Sequence, residues 1–184
     1  MKNYFLIHGS FGNSKEHYLP WLKTELEKQG ETVYAPDFPI GLGNQNYENW
    51  SKVLDKFKDK ISKETVFVGR SLAPIFIVRY LLENNLKIDS LFSVSGFNGI
   101  IGNSEYDQVN SSFFMKNYSD FKNLSKNRVC FISKNDPYVP LELLEEFATN
   151  IDAKIVMREN AGHFNTDSGY DKFTELLKLI LNKY

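Results

Sequence analysis

Short apolar runs, separated by polar stretches, recur at Tyr4 to Ile7, Thr32 to Tyr34, Thr65 to Val68, Ser90 to Val94, Val129 to Ser133 and Lys154 to Met157. They are rich in β-branched and aromatic residues, and several stay apolar at consecutive positions. That is the pattern of parallel strands covered on both faces. The segments between them show helical spacing. Trp50, Leu54, Phe57 and Ile61 step by four, three and four, which predicts a helix from Tyr47 to Ile61. Pro20 opens a helix through Leu26 that Gly30 closes, Pro140 opens another over Leu141 to Ala148, and a third apolar helix covers Pro74 to Leu82. Near the C-terminus, Ser168 with Asp171 predicts a capped helix whose buried face is Tyr170, Phe173, Leu177, Ile180 and Leu181. Strand and helix alternate, so the expected fold is α/β: about six parallel strands with helices on both faces.

The rhythm breaks once, over Phe97 to Leu124, which is rich in Asn, Ser and aromatics and has only a weak helical pattern around Val109 to Phe121. This excursion lacks the sustained amphipathic pattern of a mobile lid, so an open, shallow site is expected. No internal repeat or low-complexity tract is present, and 184 residues fit a single domain, 1–184.

The third run leads through Gly69-Arg70-Ser71-Leu72-Ala73 straight into a helix. A serine on a tight strand-to-helix turn needs small residues two positions before and after it so that the backbones can pass. Gly69 and Ala73 meet that need. A serine hydroxyl is also a weak nucleophile unless a base takes its proton and a third group orients the base. Asp136 follows the fifth run and His163, in Ala161-Gly162-His163-Phe164, follows the sixth. Both lie beyond carboxyl ends of strands, on the rim that carries Ser71, in the chain order Ser, Asp, His. Ser71 is therefore the candidate nucleophile, His163 the base and Asp136 the orienting acid, with Asp107 the next carboxylate to consider. After the first run, His8-Gly9 brings a loop close, and the backbone N–H of Ser10 or Phe11 is expected to complete an oxyanion hole with that of Leu72. His8 reads as structural and His17 as a surface residue of the first helix. Phe97, Phe164 and Tyr138, with Phe11 and Phe38, are the expected lining, and such bulky rings predict a pocket for short acyl groups.

Composition removes alternatives. Lys and Arg number 22 against 23 Asp and Glu, which leaves no electrostatic footprint for nucleic acid. The single cysteine, Cys130, lies in an apolar run and reads as a structural thiol; no disulfide can form within the chain and no Cys/His cluster has zinc spacing. Neither a metal nor another cofactor is expected. The apolar run at the N-terminus is too short for a signal peptide and nothing approaches a membrane span, so cytoplasmic residence is the expectation. The expected partner is a small-molecule acyl substrate, with no nucleic acid, no membrane and no feature that indicates a protein partner.

Together, His8-Gly9, Gly69-Arg70-Ser71-Leu72-Ala73, Asn135-Asp136-Pro137-Tyr138-Val139-Pro140 and Ala161-Gly162-His163-Phe164-Asn165 resemble the small serine hydrolases related to retinoblastoma-binding protein 9 and the bacterial YdeN-like proteins. The resemblance spans nearly the whole chain. It implies a minimal α/β-hydrolase fold lacking the first two strands of larger members, no cap domain, and a triad at Ser71, Asp136 and His163. The implied activity is hydrolysis of a small acyl ester through an acyl-enzyme. Thioester hydrolysis or acyl transfer would use the same triad, and a non-catalytic protein-binding module is the reading from a different class. Arg70, where many hydrolases carry His, departs from the common pattern.

Overall fold

Strands form where the apolar runs predict them: β1 (Asn3–Ile7), β2 (Thr32–Tyr34), β3 (Val66–Arg70), β4 (Ile88–Val94), β5 (Ser125–Ser133) and β6 (Lys154–Arg158). The computed structural model describes residues 2–181; Met1 and residues 182–184 of the expected domain lie outside the described residues. All pairings are parallel, in the order β2-β1-β3-β4-β5-β6. Alternate side chains of each strand point to opposite faces, and each face has its own core. Phe5, Ile7, Phe67, Leu91 and Cys130 pack on one side, whereas Tyr4, Leu6, Val66, Val68, Phe92 and Phe131 pack on the other. Burial pushes the Cys130 thiol up to about 12, in keeping with a packing role.

Helices α1 (Leu19–Glu27), α2 (Tyr47–Asp55), α3 (Ala73–Glu83), α4 (Ser104–Asn110), α5 (Leu141–Asn150) and α6 (Thr174–Ile180) fill the connections. The buried residues of α1 and α6 belong to one core and those of α2, α3 and α5 to the other. Three expectations need correction. The helix α2 stops at Asp55, and a 3₁₀ turn at Lys58–Lys60 follows. There Phe57 packs its ring 5.5 Å from Tyr34 and 6.2 Å from Phe5. Ser168 does not cap α6. It belongs to a 3₁₀ turn, Thr166–Ser168, whose cap is Asn165, and Gly169 at φ 85° redirects the chain before the helix begins. In the excursion, Asn103 caps α4, and the region expected to be weakly helical breaks into 3₁₀ turns at Ser111–Phe113 and Ser119–Asn123. Val109, Phe113, Tyr118 and Phe121 are nonetheless buried, so the excursion is anchored to the core.

The chain passes from β1 out to β2 and returns to β3 on the other side of β1. In a parallel sheet the loops diverge at such a reversal and leave a crevice beyond the carboxyl ends of the strands. Among the described residues, no helix is long and apolar enough to cross a membrane.

Candidate active site

Ser71 occupies the turn between β3 and α3 with φ 59°. Outside glycine, this left-handed conformation costs about 1–2 kcal/mol, so the surroundings must hold it. The Ser71 N–H donates to the Val94 carbonyl at 2.9 Å. A Cβ on Gly69 would lie 2.8 Å from Ile77 Cδ1 and 3.0 Å from the Pro74 nitrogen, which is why the crossing of β3 and α3 requires glycine. Gly9 does the same from β1: a Cβ there would fall 2.8 Å from Ser71 Cβ. The loop after β1 is thereby brought against the serine.

Asp136 and His163 meet across the ends of β5 and β6. Asp136 Oδ2 accepts from His163 Nδ1 at 2.7 Å and from the Ser95 hydroxyl at 2.9 Å. Its Oδ1 accepts the N–H groups of Tyr138 at 3.0 Å and Val139 at 3.1 Å. Burial works against the charge on Asp136, but the bond from His163 and the two backbone donors outweigh it and hold the carboxyl below its ordinary value. Burial also dominates at His163 and lowers its pKa; Asp136 pulls it back up, and the Arg70 charge pushes further down. The imidazole is therefore neutral at pH 7, with its proton on Nδ1 and Nε2 free to accept. Neighbouring side chains fix the two loops relative to each other. Ser133 Oγ accepts the Ala161 N–H at 2.9 Å and Asn135 Oδ1 accepts the Gly162 N–H at 2.8 Å.

The loop after β1, expected to supply an oxyanion donor, calls for a correction. The Phe11 N–H already donates to Gln45 Oε1 at 2.9 Å, so of the two expected donors in this loop Ser10 is the one left. Gln45 in turn donates to Asn110 Oδ1 at 2.9 Å, which also accepts the Ser10 hydroxyl at 2.7 Å. The other expected donor, Leu72, sits at the N-cap of α3, where backbone N–H groups have no intrahelical acceptor.

Ser71 and His163 line a cavity of ≈230 Å³ together with Ser10, Phe11, Phe97, Tyr106 and Tyr138. Phe97 and Tyr138 are thus where the sequence predicts them. Phe164 is not: its φ of 50° follows His163, and its ring is fully buried, stacked 5.3 Å from Phe173 in the core. Phe38 is likewise a core residue. The excursion supplies Ile101 and Tyr106 as one wall, which makes the site less open than expected. Asp107 accepts the Ile101 and Gly102 N–H groups at 2.8 and 3.0 Å and shapes that wall. A wider depression of ≈720 Å³ lies near the amino ends of β4 and β5, but no histidine lines it.

His8 accepts the Phe38 N–H on Nε2 at 2.9 Å and holds the Gly9 carbonyl with Nδ1 at 2.8 Å, a structural role in keeping with the sequence reading. His17 differs from expectation. It precedes α1 at φ 55°, lines the cavity, and accepts the Thr166 N–H at 3.2 Å. Burial pushes its pKa down to about 4, with Arg70 and His163 adding to the effect. Burial is also the main cause of the lowered pKa of His8. Below about pH 6.5 the unfolded chain therefore takes up protons that these histidines and His163 refuse when folded, and stability falls with pH. The Tm is expected to decline as pH drops from about 7 to 5; a constant or rising Tm would contradict this reading of the three rings.

Residues that sequence reasoning missed are Ser95, which steadies Asp136, and the Gln45–Asn110 pair, which steadies the loop after β1. Of the supporting polar residues, Asn135 beside Asp136 and Asn165 after His163 stood within visible motifs.

A parallel sheet in this order, with a serine on a left-handed strand-to-helix turn after β3 and a His–Asp pair beyond β5 and β6, defines an α/β-hydrolase without a cap domain. The serine hydrolase family model matches residues 4–182, and the chain belongs to that family. It is 27% identical over 172 residues to YdeN of Bacillus subtilis (strain 168), named as a hydrolase, covering 92% of this chain and 89% of that one. The crystal structure of the B. subtilis ydeN gene product superposes with a TM-score of 0.88 at 25% identity, covering 99% of this chain and 98% of that one. Est1E of Butyrivibrio proteoclasticus, seen with ferulic acid bound, gives a TM-score of 0.74 at 16% identity over 100% of this chain and 89% of that one, a likeness of fold alone.

Proposed function

We propose that this serine hydrolase cleaves small acyl esters through an acyl-enzyme on Ser71. The observation that carries the reading is the 2.7 Å bond between His163 Nδ1 and Asp136, which leaves Nε2 for the cavity that His163 and Ser71 both line. Ser71 Oγ attacks the carbonyl carbon as His163 Nε2 takes its proton, and Asp136 offsets the charge the ring acquires. The N–H groups of Leu72 and Ser10 stabilise the oxyanion. His163 then protonates the departing alcohol, and water repeats the sequence to release the acid. A thioester differs only in its leaving group, so paired oxygen and sulfur esters of one acyl chain rank the two.

The test is reaction with a fluorophosphonate followed by mass spectrometry of the digested protein. A single adduct on Ser71 is expected; a folded protein that stays unlabelled would turn the reading toward a binding module.

The cavity is smaller than the roughly 300–1,000 Å³ of drug-sized sites, and this sets acyl length. Each methylene that fits adds about 0.8 kcal/mol of burial, and carbons beyond the wall add none. Turnover of p-nitrophenyl esters should therefore peak between acetate and butyrate. Because the excursion is pinned through Asn110 and Asp107, no activation at a lipid interface is expected. Rates that climb to long chains, or jump when the substrate forms micelles, would show that the excursion opens as a lid.

A further inference from the structure

Arg70 is the last residue of β3, immediately before Ser71, and is only 8% exposed. The other three arginines, Arg79, Arg128 and Arg158, each pair with a carboxylate. Among the described residues Arg70 pairs with none, and its Nε is shut off from solvent without a hydrogen-bond partner. A buried guanidinium left in this state is costly, and a fold that needed only bulk here would gain from an apolar side chain. The Tyr18 hydroxyl is another buried group without a hydrogen-bond partner among the described residues. Arg70 lines the same cavity as Ser71 and His163, so the open direction for an acceptor is the substrate's. Two carboxylates, Glu16 and Asp167, also line the cavity. Glu16, whose charge acts on Arg70 together with that of Asp136 from beyond ion-pair distance, accepts from Asn13 Nδ2 at 2.8 Å and keeps its side chain 39% exposed, and Asp167 is exposed, so water screens both cavity carboxylates. The desolvated charge on the wall is the arginine's.

We propose that Arg70 is an anion subsite that takes a carboxylate on the acyl group delivered to Ser71, making a half ester of a short dicarboxylic acid the preferred substrate. The inference rests on the serine hydrolase reading above and names its substrate class. Arg70 and Ser71 are adjacent, with Cα atoms about 3.8 Å apart, and the cavity is small. A cavity of ≈230 Å³ lined by both residues limits the spacer between the carboxylate and the scissile carbonyl to about two or three methylenes, as in succinate or glutarate. A guanidinium presents paired donors to such a group, which an ammonium cannot reproduce. Water adds across the ester to give the dicarboxylate and the alcohol, with no other reactant.

The experiment compares kcat/KM for methyl hydrogen succinate with that for its uncharged isostere, methyl succinamate, by methanol release. The expected preference for the charged ester is about 10- to 100-fold. Arg70→Met should erase it and Arg70→Lys keep part of it, while the Tm of Arg70→Met holds or rises, which loss of a purely structural residue would not allow. A second arm places the charge on the alcohol, comparing acetoxyacetate with acetoxyacetamide. A preference confined to that arm overturns the acyl placement, and equal constants in both arms overturn the subsite while leaving a fluorophosphonate-reactive hydrolase intact. If Ser71 takes no label and no ester turns over, the hydrolase reading is what fails. Calorimetric binding of methyl hydrogen succinate then decides: binding lost in Arg70→Met supports the anion site, and no binding to the wild type overturns it.

Discussion

Ser71→Ala is expected to lower ester turnover by about 10⁶-fold, the scale of removing a triad nucleophile. The substitution deletes one hydroxyl at a position whose backbone is otherwise unchanged. Alanine keeps the strain of φ 59°, and the Ser71 N–H bond to Val94 does not involve the side chain. The Tm should accordingly stay near that of the parent while labelling by a fluorophosphonate disappears. Residual turnover well above the expected floor would show that another nucleophile, or water activated directly by His163, carries the reaction.

Asp136→Asn is expected to cost about 10⁴-fold in kcat through the wrong tautomer. The geometry states which way the amide must face. Two backbone N–H groups point at Oδ1, so the asparagine oxygen belongs there, and its NH₂ then stands where Oδ2 accepted from His163. Facing a donor, His163 Nδ1 must give up its proton, which moves to Nε2, where it blocks acceptance from Ser71. The Ser95 hydroxyl can rotate to accept the second amide hydrogen, so the fold survives. Full activity in the variant would require a second carboxylate beside the ring. Asp107 cannot serve, since its oxygens are committed to the Ile101 and Gly102 N–H groups.

The strands, and the meeting of Ser71, Asp136 and His163 at one end of the sheet, were legible because each is written locally. Runs such as Val66 to Val68 are apolar at every position since both faces of β3 are covered. The elbow at Gly69 to Ala73 is legible for a related reason: close crossing of strand and helix restricts residue type over a few adjacent positions. What could not be read depends on partners distant in the chain. Ser10 and Asn110 are separated by 100 residues and Ser95 and Asp136 by 41, and nothing periodic marks such pairs. Ser168 looked like a helix cap because its spacing to Asp171 fits one, yet its own N–H and hydroxyl both donate to Asn165 Oδ1, which ties it into the preceding turn. Phe164 looked like pocket lining because it follows His163, but the left-handed turn there sends its ring into the core. Arg70 was visible as a departure in a motif; its lack of a partner was not.

The strand order bears on how the protein is made. From β3 onward each new strand adds beside the one before it, β3 to β4 to β5 to β6, so the sheet can grow outward as the ribosome delivers the chain. The elbow is complete early in synthesis, whereas the acid and the base arrive only with the loops beyond the two strands added last. A nascent chain halted before β6 would carry a shaped but inert serine. Reactivity toward an activity-based probe would then serve as a reporter of finished synthesis, separating full-length folded protein from any truncated product.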